Sequence, residues 1–134
     1  PYLKKEPFDS KIKFNKWPQY INEVDFIVIN CALSSSSYHL LNSEAFKLMK
    51  KGVRIVNVGR GPIIDEKALL SALLSGKVHS AALDVFENEP LNSNSPLKQF
   101  ENCIFGSHNA SNTIDGVIKT SNKALKIMSE FLGS

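Results

Sequence analysis

An arginine, two carboxylates and a histidine each follow a short apolar run of this chain. Arg60 lies between two glycines directly after one run, Glu87 and Glu89 follow a second, and His108 follows a third. An arginine can bind a carboxylate through two N–H groups and polarise a carbonyl, and a histidine exchanges a proton near neutral pH. These residue types suit interconversion of a 2-hydroxy acid and a 2-oxo acid. They also suit hydrolytic or lyase chemistry, so the residues alone leave the reaction class open.

Four short apolar runs predict the strands that bring these residues together. They are rich in β-branched residues and show little alternation, which is typical of strands buried on both faces of a parallel sheet. The four predicted strands are residues 25–30, 53–58, 80–85 and 103–106. Ligands of an open parallel sheet bind outside the carboxyl ends of its strands. We therefore expect Arg60, the two carboxylates and His108 to share one edge of the sheet.

Helices are predicted between the strands. They cover residues 43–51, 66–75 and 114–131, with a shorter helical turn near 17–22. Capping residues mark their ends, with Asn42, Asp65 and Thr113 or Asn112 at the starts and Gly52, Gly76 and Gly133 after the ends. Leu69, Leu70, Leu73 and Leu74 are expected to form the buried face of the second helix. The alternation of strands and helices predicts an α/β fold with right-handed crossovers.

The composition is that of an ordinary globular domain. The chain has 134 residues, of which 43% are hydrophobic and 22% charged, and its net charge is +3. A basic cluster near the start comprises Lys4, Lys5, Lys11, Lys13 and Lys16. We interpret it as a solvated surface, because aromatic and basic residues do not recur along the rest of the chain. We therefore expect no nucleic-acid partner. No apolar run approaches the ~18 residues that span a bilayer, so we expect no membrane partner either.

The two cysteines and the first residues bear on the setting of the protein. Cys31 and Cys103 are too few for a metal motif or a disulfide framework. We therefore predict free thiols in a reducing, cytoplasmic setting and no bound metal. No signal peptide is recognisable, and the chain begins with Pro1 rather than Met, so we expect a processed or truncated piece of a larger protein.

Three stretches match the motifs of one known family. Residues 57–66 read NVGRGPIIDE, which fits N-x-x-R-G followed by two apolar residues and Asp-Glu. Residues 81–90 read AALDVFENEP, which fits A-A-x-D-V-F-x-x-E-P, and residues 25–34 with 40–42 fit a strand and its following loop. In this order the motifs resemble those of the NAD-dependent D-isomer-specific 2-hydroxyacid dehydrogenases, of the phosphoglycerate dehydrogenase type. The resemblance runs from about Val24 to the end of the chain.

The resemblance implies a role for each residue of the set. Arg60 would bind the substrate carboxylate and carbonyl, and His108 would be the acid/base. Glu89, rather than Glu87, would be the carboxylate partner of the histidine, and Asp84 would contact the nicotinamide carboxamide. The residues implied to line the NAD cofactor are Cys31, Ala32, Val58, Gly59, Arg60, Asp84 and His108. His39 and His79 have no comparable placement. We expect His39 in a loop before a helix, and His79 at the start of a strand, away from the carboxyl edge.

The resemblance also implies how the chain is organised. Residues 1–112 would be the C-terminal part of an NAD-binding domain, a partial Rossmann-like, doubly wound parallel sheet with flanking helices. Residues 113–134 would be a helix that returns toward the substrate domain. The family's G-x-G-x-x-G turn, the acidic residue after the next strand and the N-terminal substrate domain are not recognisable in the sequence. We therefore expect a C-terminal half with negligible turnover alone, because the pyrophosphate lacks its helix N-terminus.

Two functions remain open after this comparison of motifs. The first is hydride transfer between NAD(H) and a D-2-hydroxy acid or its 2-oxo acid. The second is a non-catalytic module of the same fold that senses NAD(H) or binds a protein. The identity of the acid and the choice between NAD and NADP are also open. We expect a homodimer or an association with an N-terminal half. The sequence departs from the family at residues 30–32, usually His-x-Pro, and at Ser107, usually proline.

Overall fold

A parallel sheet of four strands forms the centre of the structure, a computed structural model that describes Lys13 and residues 15–133. The strands are β1 (Phe26–Ile29), β2 (Val53–Asn57), β3 (Val78–Leu83) and β4 (Ile104–Phe105), and they lie in the order β1-β2-β3-β4. Ile27 pairs with Ile55, and Ile55 pairs with Ala81. The predicted α/β class with a Rossmann-like parallel sheet is confirmed. Lys4, Lys5, Lys11, Pro1 and Tyr2 lie outside the described residues.

Within residues 15–133, three α-helices follow strands of the sheet. They are α1 (Ser43–Leu48), α2 (Glu66–Leu74) and α3 (Ile114–Leu132), and 3₁₀ turns cover Gly61–Ile63 and Pro96–Gln99. The predicted N-caps are confirmed, because Asn42, Asp65 and Thr113 each accept a backbone N–H bond of the first turn. Gly76 and Gly133 have positive φ where α2 and α3 end.

Two helix predictions were wrong at the level of individual residues. The first helix ends at Leu48 rather than Lys51, because the buried Met49 takes an extended conformation there. Gly52, with φ +81°, donates to the Lys77 oxygen and so belongs to the entry into β2. The predicted helical turn near 17–22 is a series of reverse turns that buries Ile21.

The core lies between one face of the sheet and the helices α1 and α2. It contains Val53 and Ile55 of β2, Phe46 of α1 and Leu69 and Leu73 of α2. The buried face of α2 also includes two alanines, whereas Leu74 is exposed, so the predicted four-leucine face was wrong. Small residues at these positions let α2 approach the sheet and α1 closely.

The opposite face of the sheet is open in the described part of the chain. Phe26, Val28 and Ile104 are exposed there, and the Arg54 guanidinium lies over the Phe26 ring at 5.3 Å. The expectation that the strands are buried on both faces was therefore wrong for β1 and β4 in these residues. Helix α3 has no buried residue, and its apolar side chains are exposed as well. No helix of the described residues is long and apolar enough to cross a membrane.

Candidate active site

The carboxyl edge of the sheet carries the residues that the sequence selected. Arg60 lies in the turn that leaves β2, Glu87 and Glu89 lie in the loop that leaves β3, and His108 follows β4. The three strands are consecutive neighbours in a parallel sheet, so their exits lie side by side. We call residues 84–90 the acidic loop.

His108 and Glu89 form a hydrogen-bonded pair. The distance from His108 Nδ1 to Glu89 Oε2 is 2.7 Å, and both side chains are about half exposed. The other carboxylate oxygen, Oε1, accepts the Phe86 N–H at 3.1 Å. The bond from His108 is the main cause that lowers the pKa of Glu89, with the Phe86 N–H as the second cause. An ionised Glu89 accepts from Nδ1 and thereby directs Nε2 away from the pair.

Asp84 fixes the backbone that carries His108. Its main-chain oxygen accepts the His108 N–H at 2.8 Å, and its carboxylate accepts the N–H groups of Asn109 at 3.1 Å and Ala110 at 2.8 Å. The bond from Ala110 is the largest of the causes that lower the pKa of Asp84. His108 has a φ of +61°, which a residue with a side chain adopts only where its surroundings impose it. A Cβ on Gly106 would lie 2.2 Å from the Asp84 carboxylate, so glycine is required there.

A buried asparagine shapes the turn that carries Arg60. Asn57 has no exposed surface, its Oδ1 accepts the Gly59 N–H at 3.0 Å, and its Nδ2 donates to the Arg60 oxygen at 3.1 Å. The exposed Arg60 side chain folds back so that Nη1 donates to the Gly59 oxygen at 2.7 Å. Asn57 is part of the sequence motif, but the sequence suggested no role for it. In the structure its side chain holds the turn that carries Arg60.

Two glycines let three loops meet at this edge. A Cβ on Gly59 would lie 3.0 Å from the Cys31 oxygen, and one on Gly61 would lie 1.8 Å from the Phe86 oxygen. The turn after β2 therefore packs its backbone against the loop after β1 and against the acidic loop. This packing brings the Arg60 turn next to the segment that carries Glu89.

The residues expected to line a cofactor fall into two groups. Cys31, Ala32, Val58, Gly59 and Arg60 line one cavity of about 420 Å³. This volume is within the range of small-molecule sites. The structure does not bring Asp84 and His108 into that cavity. Those two residues line a neighbouring cavity of about 540 Å³ together with Glu89.

Two positions near the site were not recognised from the sequence. Ser37 lies in a run of four serines, is buried, accepts the Ser34 N–H at 2.8 Å and donates to the Ala32 oxygen at 2.9 Å. It thus shapes the loop after β1, and only its burial distinguishes it from the other serines. His39 lies in a loop before α1, as predicted, but no sequence pattern indicated its contact with Glu87, whose Oε1 lies 2.5 Å from His39 Nε2.

The two carboxylates of the acidic loop therefore have different histidine partners. Glu89 contacts His108, and Glu87 contacts His39. His79 lies at the amino end of β3, with its main-chain oxygen bonded to the Asn102 side chain, as expected for a residue away from the carboxyl edge.

Comparison with known families identifies the group to which this arrangement belongs. Residues 1–110 match the family model described as the D-isomer specific 2-hydroxyacid dehydrogenase, NAD binding domain. The chain belongs to this dehydrogenase family. Its parallel sheet and the loops at the carboxyl edge are thus those of an NAD-binding domain of the D-isomer specific 2-hydroxyacid dehydrogenases.

Individual relatives of this dehydrogenase domain are similar in sequence and in structure. Glyoxylate/hydroxypyruvate reductase B of Cronobacter sakazakii is 44% identical over 91 residues, which are 68% of this chain and 28% of the reductase. A D-isomer specific 2-hydroxyacid dehydrogenase from Xanthobacter autotrophicus Py2, in complex with NADPH and MES, has a TM-score of 0.65 and 37% identity, covering 66% of this chain and 28% of that one. D-lactate dehydrogenase of Aquifex aeolicus, complexed with NAD and lactic acid, has a TM-score of 0.72 and 26% identity. The match covers 84% of this chain and 38% of the dehydrogenase chain. The chain thus spans less than half the length of these relatives.

The pairing of Glu89 with His108 makes the stability of the dehydrogenase domain depend on pH. The pKa of Glu89 is below its ordinary value of 4.5 in the folded state, so the hydrogen bonds to its carboxylate stabilise the fold above pH 4.5 and less as the pH falls through the folded pKa. We expect Glu89→Gln to lower the free energy of unfolding by about 0.2–1 kcal/mol above pH 4.5, the range of exposed pairs. Urea unfolding at a series of pH values should show this difference shrinking below pH 4.5, and a constant difference would contradict the assignment.

Proposed function

We propose that this chain supplies the acid/base and substrate-binding half of an NAD-dependent oxidoreductase that interconverts a D-2-hydroxy acid and its 2-oxo acid. The observation that carries the proposal is the bond between His108 Nδ1 and Glu89, in a chain of this dehydrogenase family. The carboxylate holds the imidazole so that Nε2 is the nitrogen that exchanges a proton with substrate. Glyoxylate or hydroxypyruvate is the substrate class that the name of the Cronobacter sakazakii relative suggests.

In the direction of reduction, each residue has a separate task. Arg60 binds the substrate carboxylate through its guanidinium group and polarises the neighbouring carbonyl. The protonated His108 donates the Nε2 proton to the carbonyl oxygen as charge develops there, and Glu89 stabilises the imidazolium before the transfer. In the direction of oxidation, the neutral ring accepts the hydroxyl proton at the same nitrogen.

The cavity after β1 and β2 fits the nicotinamide end of the cofactor. Cys31, Ala32, Val58 and Gly59 would line it, and Asp84 would contribute from the cavity that it lines with His108. A bound nicotinamide cofactor would supply the hydride in reduction and accept it in oxidation. The chain's own contribution to this step is to hold the substrate in place through Arg60 and His108.

The exposed apolar surfaces support an association with further parts of a dehydrogenase. We assign residues 1–112 to the C-terminal part of the NAD-binding domain, and residues 113–134 to a helix that packs toward a substrate domain. Val117, Leu125 and Phe131 of α3 are all exposed in the described residues, and contiguous apolar surface of this kind marks interaction sites. We propose either a homodimer or a complex with an N-terminal half, in a cytoplasmic setting.

A chimera tests the proposed function. In it, this chain replaces the matching segment of the Cronobacter sakazakii reductase, which then provides the remaining parts of the enzyme. We expect the chimera to oxidise NADH with glyoxylate or hydroxypyruvate as the substrate. The reaction is measured as the decrease in NADH absorbance. NADH binding without turnover on any 2-oxo acid would contradict catalysis and support a non-catalytic module. A folded chimera that does not bind NADH would contradict both functions.

A further inference from the structure

A second histidine–carboxylate pair lies beside the candidate active site. The distance between His39 Nε2 and Glu87 Oε1 is 2.5 Å, and the two side chains are 31% and 25% exposed. The pair of His108 and Glu89 is more exposed, at 45% and 36%. A hydrogen bond that is more withdrawn from water is electrostatically stronger, because the local dielectric is lower. Neither His39 nor Glu87 has a place in the proposed chemistry.

The backbone and ring of His39 are both held in place. The residue has a φ of +48°, and its N–H donates to the Pro62 oxygen at 2.8 Å. Its ring stacks on Tyr38, with 4.1 Å between the ring centroids and 19° between the planes. A left-handed conformation at a residue with a side chain persists only where several contacts impose it. These contacts direct the imidazole of His39 at the acidic loop.

Glu87 is fixed from the opposite side by helix α2. Its N–H donates to Glu66 Oε1 at 2.7 Å, and Glu66 is the first residue of α2. Burial is the main cause that raises the pKa of Glu66, and the charge of Glu87 raises it further against the effect of this hydrogen bond. Asp65 and Lys67 line the same cavity as His39 and Glu87. Glu87 is thus anchored through its main chain to α2 and through its side chain to His39.

The acidic loop carries the carboxylates of both pairs, Glu87 and Glu89, two residues apart. Gly61 packs against Phe86 and Glu87, and the Phe86 N–H bonds to Glu89. A displacement of Glu87 therefore changes where the Glu89 carboxylate meets His108. Catalysis depends steeply on such placement, because a shift of about 1 Å can lower a rate ~100-fold.

We propose that His39 and Glu87 are a positioning pair that holds the acidic loop in place and thereby fixes the orientation of the His108 ring through Glu89. The pair ties the loop after β1, which carries Cys31 and Ala32, to the loop that carries Glu89. It acts through other residues and contacts no reacting atom. The kinetic part of this inference rests on the proposed function, whereas its structural part concerns the His108 ring alone.

A double-mutant cycle in the chimera tests the pair. The variants are His39→Gln, Glu87→Gln and the double substitution, which keep polar side chains at both positions. We expect each single substitution to lower kcat about 10-fold, with the KM for NADH changed less than about twofold. The double variant should be no slower than either single one, because two residues that act as a unit do not have additive effects. Additive losses would overturn the pairing.

A matched control separates positioning from the loss of any ion pair. Glu44→Gln removes the exposed ion pair between Glu44 and Lys47 on α1, whose side chains are 78% and 70% exposed. We expect this variant to retain the kcat of the parent chimera. A loss equal to that of Glu87→Gln would show a general effect of charge and would overturn the inference.

A spectroscopic measurement tests the inference without turnover. In the chimera labelled with ¹⁵N at histidine, the ring nitrogens of His108 report which of them carries the proton in the neutral ring. We expect one tautomer, protonated at Nδ1, in the parent and a mixture in both Glu87→Gln and His39→Gln. An unchanged single tautomer in these variants would overturn the positioning role. An inactive parent that still shows the change would overturn the proposed function and leave the positioning role supported.

Discussion

Replacing His108 by alanine is expected to lower the kcat of the chimera by about 100-fold to 10,000-fold, the range associated with loss of a general acid/base. The free nitrogen of the imidazole, Nε2, is directed away from its carboxylate partner, and in the proposed mechanism it is the atom that exchanges the proton with substrate. The main chain at this position is held by Asp84 and does not depend on the ring. The fold and NADH binding should therefore persist, which fluorescence titration with NADH can measure.

His79→Ala is the matched control for this prediction. His79 is an exposed histidine at the amino end of β3, far along the strand from the carboxyl edge. Its replacement removes the same chemical group from the same domain, and kcat should stay within about twofold of the parent because no proton transfer depends on it. Equal activity of the His108→Ala and His79→Ala chimeras would contradict the role of His108. Loss of NADH binding by His108→Ala would instead indicate that the main role of the ring is to bind the cofactor.

The pattern of apolar runs was sufficient to predict the sheet, because parallel strands must be short, apolar and separated by helices. The carboxyl-edge rule then placed Arg60, the carboxylates of Glu87 and Glu89, and His108 on neighbouring connections, and only the family resemblance chose Glu89 as the partner of His108. Helix boundaries were predictable where a side chain caps the backbone, as at Asp65 and Thr113. The end of α1 was not, because the burial of Met49 decides it, and burial depends on the assembled core.

The sequence also could not predict that one face of the sheet is open. A strand such as β1 reads as buried on both sides, yet Phe26 and Val28 are exposed in the described residues. The pattern reports what a strand can bury, whereas the structure reports what covers it. The same limit applies to α3, whose helical periodicity was correctly predicted but whose apolar residues contact no core.

The finer geometry of the site depended on contacts between residues far apart in the chain. No spacing rule links His39 to Glu87 across 48 residues, because the contact exists only once two loops have met. Ser37 was hidden for a similar reason, since its neighbours in the serine run have the same chemistry and differ only in exposure. Residue type could therefore suggest the chemistry of the edge, but not how its loops are held together.

Gly61→Ala is expected to be the most destabilising small substitution at this edge, with a loss of about 3 kcal/mol or more in the free energy of unfolding. An added Cβ would lie 1.8 Å from the Phe86 oxygen and 2.6 Å from the Glu87 nitrogen. Both are main-chain atoms, so no side chain can move aside to relieve the overlap. The turn after β2 would have to separate from the acidic loop, which would also move Arg60 away from Glu89.

Gly76→Ala supplies the control that isolates this collision. Gly76 has a φ of +68° and open space around it, so alanine there meets only the backbone strain of the left-handed region, about 1 kcal/mol. Gly61 does not have a positive φ, so alanine there meets no strain of this kind. Urea unfolding of both chimeras should nevertheless show a clearly larger loss of unfolding free energy for Gly61→Ala. Activity should fall with it, whereas Gly76→Ala should retain the parent kcat. Similar losses of stability in the two variants would contradict the close packing of the turn after β2 against the acidic loop. They would also contradict the inference that this packing keeps Arg60 near the pair of Glu89 and His108.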